Sequence, residues 1–142
     1  MGKVFVSGCY DIVHGGHVEF FNQAKKLGDY LVVCFASDEV LLKYKGRVSA
    51  LPAKHKKYLL ENLRAVDEVV SSSNIDDPIF DFKDHFIRIK PSILVVAEDD
   101  KHIERKRAFC EEHGAKLVVL PKSLGFEKIS TTELRKRICE EK

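Results

Sequence analysis

Cysteine is sparse and scattered in this chain of 142 residues. Cys9, Cys34, Cys110 and Cys139 form no C-x-x-C pair, so no zinc or dithiol redox motif is spelled out and no disulfide framework is expected. Cys34 lies inside an apolar run and reads as a small buried hydrophobe. Charge of one sign is lacking too. The 24 basic and 22 acidic residues leave a formal net charge of +2, too even for binding nucleic acid or an anionic membrane through bulk electrostatics. Long apolar runs are also missing: Tyr30 to Ala36 falls far short of the ~20 residues a membrane span needs. Met1 to Val6 has no signal-peptide hydrophobic region, and Val6 stands where a myristoylation signal wants Ser or Thr. A cytoplasmic protein is expected, with neither nucleic acid nor membrane among its partners. No repeat, low-complexity tract or Pro/Gly-rich linker divides the chain, so residues 1–142 read as a single domain.

What is present is an ordinary globular composition, 44% hydrophobic and 32% charged. Short runs rich in Val, Leu and Ile, at 3–7, 30–36, 68–71, 93–97 and 116–120, lack polar alternation, as strands covered on both faces do. Segments of helical period separate them. Val18, Phe21, Ala24 and Leu27 mark a first helix stopped by Gly28; Leu59, Leu60 and Leu63 lie in a second over 53–63. Ile79, Phe82, Phe86 and Ile89 mark a third, 99–113 a fourth, and Leu134 with Ile138 a last helix from about Thr131. The alternation predicts a three-layer α/β, Rossmann-like fold on a mostly parallel five-stranded sheet, with ligands outside the carboxyl ends of the strands.

The most informative stretch is Gly8-Cys9-Tyr10-Asp11-Ile12-Val13-His14-Gly15-Gly16-His17, between the first strand and the first helix. Backbone N–H groups and the positive end of a helix dipole make such a turn a ready site for phosphate. Gly8, Gly15 and Gly16 are expected to let the backbone approach a ligand closely. His14 and His17 fall on one face of the opening helix. The dinucleotide fingerprint G-x-G-x-x-G is absent and no G-K-[ST] follows, so neither a Rossmann dinucleotide site nor a P-loop is present. A zinc site on His14 and His17 lacks a third ligand at usable spacing. The alternative for the pair is a structural role.

Gly8, Tyr10, Asp11, His14, Gly16 and His17 fill the pattern G-x-[FY]-D-x-x-H-x-G-H. It resembles the signature of the cytidylyltransferase-like nucleotidyltransferases, among them glycerol-phosphate, phosphoethanolamine and phosphocholine cytidylyltransferases, heptose-phosphate adenylyltransferases and archaeal FMN adenylyltransferases. The segments 23–31 and 66–70 are similar to that family as well, and Ile129-Ser130-Thr131-Thr132 is similar to its second signature. Ser130 to Glu133 also reads as a capping box, and both roles fit one helix terminus.

The resemblance implies attack by an acceptor phosphate oxygen on the α-phosphorus of a nucleoside triphosphate, with release of pyrophosphate and with Mg2+ bridging phosphate oxygens. A phosphomonoester has a second pKa of about 6, so the nucleophile is already charged and no strong general base is required. The site must supply in-line positioning and charge stabilisation. His14 and His17 fit as donors to the triphosphate; a helix N-terminus opposes imidazole protonation, so at least one is expected to act neutral. Asp11 is better placed to orient a histidine or a hydrated metal than to attack. Lys43, Lys45 and Arg47 are implied to reach the triphosphate or the acceptor phosphate from a loop, against the plain reading of a solvated basic stretch. The nucleotide-binding set is Gly8, Cys9, Tyr10, Asp11, Gly16, Glu98, Asp99, Lys122, Ile129, Ser130, Thr131 and Thr132.

Three departures from the family pattern stand out. His55-Lys56 occupies a place where the family often has Glu-Arg or His-Arg, with the register of 54–57 left open. Ala97 replaces the Gly of a G-D-D segment, and Lys122 replaces an Arg in a longer link to Ile129. CTP is the favoured donor, with AMP or GMP transfer to a sugar 1-phosphate as the rival. A catalytically idle nucleotide-binding module is the rival from another class. A homodimer is implied by resemblance alone, and no residue pattern distinguishes the acceptor.

Overall fold

The computed structural model describes residues 2–121 and 129–140; Lys122 lies outside them. Five strands, β1 (Lys3–Gly8), β2 (Tyr30–Phe35), β3 (Glu68–Ser71), β4 (Ile93–Ala97) and β5 (Lys116–Leu120), form one sheet in the order β3-β2-β1-β4-β5. Every pairing is parallel, with Lys3 opposite Tyr30 and Ile93 opposite Lys116. Six helices are described: α1 (Gly15–Lys25), α2 (Asp38–Lys45), α3 (Ala53–Glu61), α4 (Lys83–Ile89), α5 (Ile103–Glu112) and α6 (Thr131–Glu140). The expected three-layer α/β, Rossmann-like architecture is observed, and its sheet is parallel throughout.

The two-residue period of a strand sorts the core into two layers. Val4 and Val6 of β1 meet Phe21 and Ala24 of α1 and Leu60 of α3 on one face. Phe5 points the other way into Phe82, Phe86, Phe109 and Cys110 beside α4 and α5. There Phe5 and Phe86 lie 5.4 Å apart at 72°, and Phe86 and Phe109 lie 5.2 Å apart at 61°, the edge-on geometry aromatic quadrupoles favour. Full burial of each such ring stabilises the fold by roughly 1.5–3 kcal/mol.

Asp67 ties the two central crossovers together. Its carboxylate accepts the Leu31 N–H at 2.8 Å and pairs with Lys25, which fixes where β2 begins.

Three helix boundaries differ from the periodicity. The stretch holding Lys43 and Lys45 is a helix: Ser37 Oγ accepts the Val40 N–H at 3.3 Å to start α2, and Gly46 at φ +69° ends it. Ile79 stands outside α4 because Asp77 Oδ1 accepts the Ile79 N–H at 2.9 Å in a turn. In the same way Asp100 Oδ1 accepts the His102 N–H at 2.7 Å, delaying α5 to Ile103. Side-chain-to-backbone bonds of this kind compete with the first helical turn. Among the described residues no helix is long and apolar enough to cross a membrane.

Candidate active site

Strand order reverses between β1 and β4, and open parallel sheets bind ligands at such a switch point beyond the strand carboxyl ends. The β1–α1 turn lies there. Tyr10 adopts φ +49°, in the left-handed region, at a cost of roughly 1–2 kcal/mol for a residue with a Cβ. The strained backbone drops the Tyr10 ring into the core, 8% exposed, edge-on to His17 at 5.3 Å and to Phe21 at 5.3 Å. The structure thus places the Tyr10 ring, of the residues expected to bind nucleotide, behind His17 and facing the core. Its neighbour Gly8 is glycine because a Cβ there would stand 2.8 Å from Tyr10 Cζ. A Cβ on Gly16 would likewise meet His14 Cε1 at 2.9 Å. At both positions the missing side chain makes room for the turn's own rings, where the sequence suggested room for a ligand.

His14 is the N-cap of α1 in extended conformation, and its Nδ1 accepts the Gly16 N–H at 3.1 Å. In return His17 Nδ1 accepts the His14 N–H at 3.2 Å. This is a capping box built from two imidazoles. Because both Nδ1 atoms accept, the neutral rings carry their protons on Nε2. The rings stack at 3.9 Å with 29° between planes. The local sequence thus produces two oriented Nε2–H donors at a helix N-terminus.

Cations surround the same turn. Lys56 is 1% exposed, and its Nζ donates to the Cys9 carbonyl at 2.9 Å while lying 5.2 Å from the Phe35 ring centroid. Burial lowers its pKa despite the opposing charge of Asp11. Lys45 Nζ approaches Cys9 Sγ at 3.1 Å. Asp11, 3% exposed, accepts on Oδ2 both Arg47 at 2.6 Å and Arg135 at 3.0 Å. Burial alone pushes the Asp11 carboxyl up. The Arg47 hydrogen bond and charge, with smaller help from Ser49 and Arg135, outweigh that and hold it below the usual carboxylate range. Ser49 Oγ and Arg135 Nε are buried beside that carboxylate. Three cations thus gather about one carboxylate, an excess that suits a polyanion.

Among the described residues the Asp11 carboxylate accepts from two arginines, Arg47 and Arg135. Lys45 and Arg47 reach the turn, whereas Lys43 bonds Asp76 at 3.4 Å on an exposed surface. Glu98 and Asp99 follow β4 at the same sheet edge, and the Glu98 N–H donates to the Leu120 carbonyl at 2.9 Å. Asp100, next in line, is a structural acid paired with Lys106 at 2.7 Å. Ile129 and Ser130 precede α6 and Thr131 and Thr132 open it. Ser130 Oγ accepts the Glu133 N–H at 3.1 Å, but the Glu133 carboxylate turns to Arg137 at 2.9 Å, so only half of the capping box forms.

Arg135 went unread in the sequence, and Lys56 was noted only within the 54–57 stretch of open register. Arg135 sits four residues after Thr131, the spacing that puts both on one helix face. Lys56 shares the stripe of Ala53 and Leu60, and a lysine in an apolar stripe signals a buried stem with a directed charge.

Comparison with known proteins agrees with this geometry. The model of the cytidylyltransferase-like family matches residues 5–137. The glycerol-3-phosphate cytidylyltransferase of Bacillus subtilis (strain 168) is 36% identical over 139 residues, 98% of each chain. The FAD synthase of Pyrococcus horikoshii is 35% identical over 141 residues, covering 97% of this chain and 93% of that one. Among solved structures, the lipopolysaccharide core biosynthesis protein of Thermoplasma volcanium superposes with a TM-score of 0.68 at 25% identity, covering 90% of this chain and 98% of that one. With both sequence signatures in place on the expected fold, the chain belongs to the cytidylyltransferase-like family and is a nucleotidyltransferase.

Proposed function

We propose that the protein transfers CMP from CTP to a small phosphorylated acceptor and releases pyrophosphate. The observation that carries this reading is the pair of Nε2–H imidazoles fixed by their own helix cap beside Lys45, Lys56, Arg47 and Arg135. An acceptor phosphate oxygen forms the new bond to the α-phosphorus as the bond from that phosphorus to the bridging oxygen of pyrophosphate breaks. His14 and His17 donate to phosphoryl oxygens whose charge grows in the transition state, and Lys45 with the net positive charge about Asp11 offsets the charge of the leaving group. Among the described residues no three His, Cys, Asp or Glu side chains gather to hold a metal ion, and Asp11 is committed to arginine. In this reading Mg2+ enters with the triphosphate, as part of the substrate, since Mg2+ is commonly held by substrate phosphates with few protein ligands.

CTP is favoured by Gly8-Cys9-Tyr10-Asp11 and Ile129 to Thr132, and by the cytidylyltransferase relative. A second reading, AMP transfer from ATP, is supported by the FAD synthase relative, since FAD contains an AMP unit. Pyrophosphate release decides between them, measured with CTP, ATP, GTP and UTP in turn, with Mg2+ and glycerol 3-phosphate or FMN as acceptor. CTP turnover with a phosphorylated acceptor is expected. Turnover with ATP alone selects the second reading, and calorimetric binding without any turnover selects an idle module. A homodimer in the cytoplasm belongs to the same reading, and light scattering of the purified protein checks its mass.

A further inference from the structure

Helix α6 carries the second phosphate signature at its N-terminus, yet none of its residues is buried. Leu134 and Arg135 are half-buried and the residues after them are exposed. A solvated helix of ten residues has little stability of its own, and tertiary contact must hold it. The hydrogen bonds of Glu133 with Arg137 and with Ser130 are internal to this end of the chain. Among the described residues the polar tie between α6 and the body of the fold is Arg135 Nη2 on Asp11 Oδ2, at 3.0 Å and across 124 positions of sequence. That carboxylate is almost wholly buried and shares Oδ2 with Arg47, so it is anchored from the other side. Asp11 stands three residues before His14, and Thr131 lies one helical turn before Arg135. The tie therefore turns the Thr131 face of α6 toward the turn that bears both histidines.

We propose that the Arg135–Asp11 ion pair is the clasp that seats the Ser130–Thr132 helix start on the catalytic turn, making Arg135 a positioning residue for nucleotidyl transfer. The inference rests on the nucleotidyltransfer reading for its functional half; the docking of α6 stands on geometry alone. Arg47 belongs to the same arrangement, because it fills the remaining side of Oδ2 and keeps Asp11 in place for Arg135.

The test compares the intact wild-type chain with Arg135→Met and Arg135→Lys by amide hydrogen exchange and by steady-state kinetics. A charge-assisted bond to a buried carboxylate predicts exchange in 131–140 faster by on the order of 10- to 100-fold in Arg135→Met. Protection of the five strands should stay unchanged, and Arg135→Lys should fall between. The KM for the Mg2+ triphosphate should rise at least about tenfold in Arg135→Met, with a smaller change in KM for the phosphorylated acceptor. Exchange within twofold of wild type overturns the clasp even if activity is lost, since Arg135 would then act on substrate directly. Loss of protection across the sheet overturns it as well, by making Arg135 a support of the whole fold. If the wild-type chain turns over no triphosphate, the nucleotidyltransfer reading fails, and the exchange measurement still decides the docking of α6.

Discussion

Replacing Asp11 by Asn tests whether the carboxylate acts as the common anchor of two arginines. Breaking a buried ion pair from one side costs about 3–5 kcal/mol. Here the Arg47 and Arg135 side chains remain 42% and 35% exposed, so water screens part of the uncompensated charge. Asn also keeps an oxygen that accepts from one of them. Roughly 2 kcal/mol of lost stability is the expected net, and for a chain of this size that corresponds to a fall in Tm of roughly 6–10 °C. The pH dependence gives a sharper signature. The folded-state pKa of Asp11 is depressed, chiefly because Arg47 overcomes the opposing effect of burial. Its stabilisation is therefore fully present above the unfolded carboxylate value near 3.9 and is lost as pH falls through the lower folded value. Melting curves of wild type and Asp11→Asn should run parallel from pH 8 to 5 and converge only below about pH 4. A difference under about 2 °C at pH 7, or one that changes between pH 8 and 6, would refute the anchor.

Other consequences follow from the same geometry. His14→Ala or His17→Ala should lower kcat by on the order of 10²–10³, the usual loss for a transition-state hydrogen-bond donor; a single-turnover loss below tenfold removes that role. Gly8→Ala places a methyl group 2.8 Å from Tyr10 Cζ, so the ring must leave its edge-on contact with His17. Activity should drop at least tenfold, with a shifted His17 ring resonance by NMR, and an unchanged resonance contradicts the support role. Burial raises the Asp81 pKa to about 6, with Ser72 and the Lys106 charge offsetting only part of that effect. A folded-state value above the unfolded one means stability is lost as pH rises from about 4 through about 6, and the full cost of ionised Asp81 is present above that. Asp81→Asn should thus raise Tm at pH 8, by at most about 3 kcal/mol of stability, and the gain should fade by pH 4; a gain independent of pH argues against this assignment.

The sheet and its two faces were legible because Val4, Phe5 and Val6 are apolar in succession and parallel strands are buried on both sides. The β1–α1 turn was legible because its residue types are dictated locally, by a cap, a left-handed turn and two glycines. Helix α2 was harder to see, since eight residues with Lys and Tyr on the outer side give little period, and the cap rests on a single Ser37 hydroxyl. Asp11 illustrates the main gap. Its partners Arg47 and Arg135 lie 36 and 124 positions away, and no local pattern records which cation crosses the fold to meet it. Lys43 and Lys45 show a different gap, the helix that carries them. Two residues apart in a helix, they point to different sides, so one reaches the turn and the other an exposed aspartate.

Lys56 stands where the family resemblance led one to expect arginine, and the structure says why lysine suits this chain. Its slot is 1% exposed, its stem lies against Phe35, and the acceptor the structure shows for it is the single carbonyl of Cys9. An ammonium is a compact point charge that one carbonyl and the nearby Asp11 charge can serve, whereas a guanidinium brings five donors in a wide, rigid fork. Arg at this position would bury several donors without acceptors, each costing about 1–3 kcal/mol, and would add volume to a packed face of α3. Lys56→Arg should therefore lower Tm by several degrees and reduce turnover. Lys56→Met, which keeps the volume and drops the charge, should destabilise less while weakening pyrophosphate binding. The order of the two variants is the informative quantity, and differential scanning calorimetry at pH 7 reads it. If Lys56→Arg melts within about 2 °C of wild type while Lys56→Met melts lower, the slot tolerates a fork, and the charge count about Asp11 explains Lys56 better than the single carbonyl does.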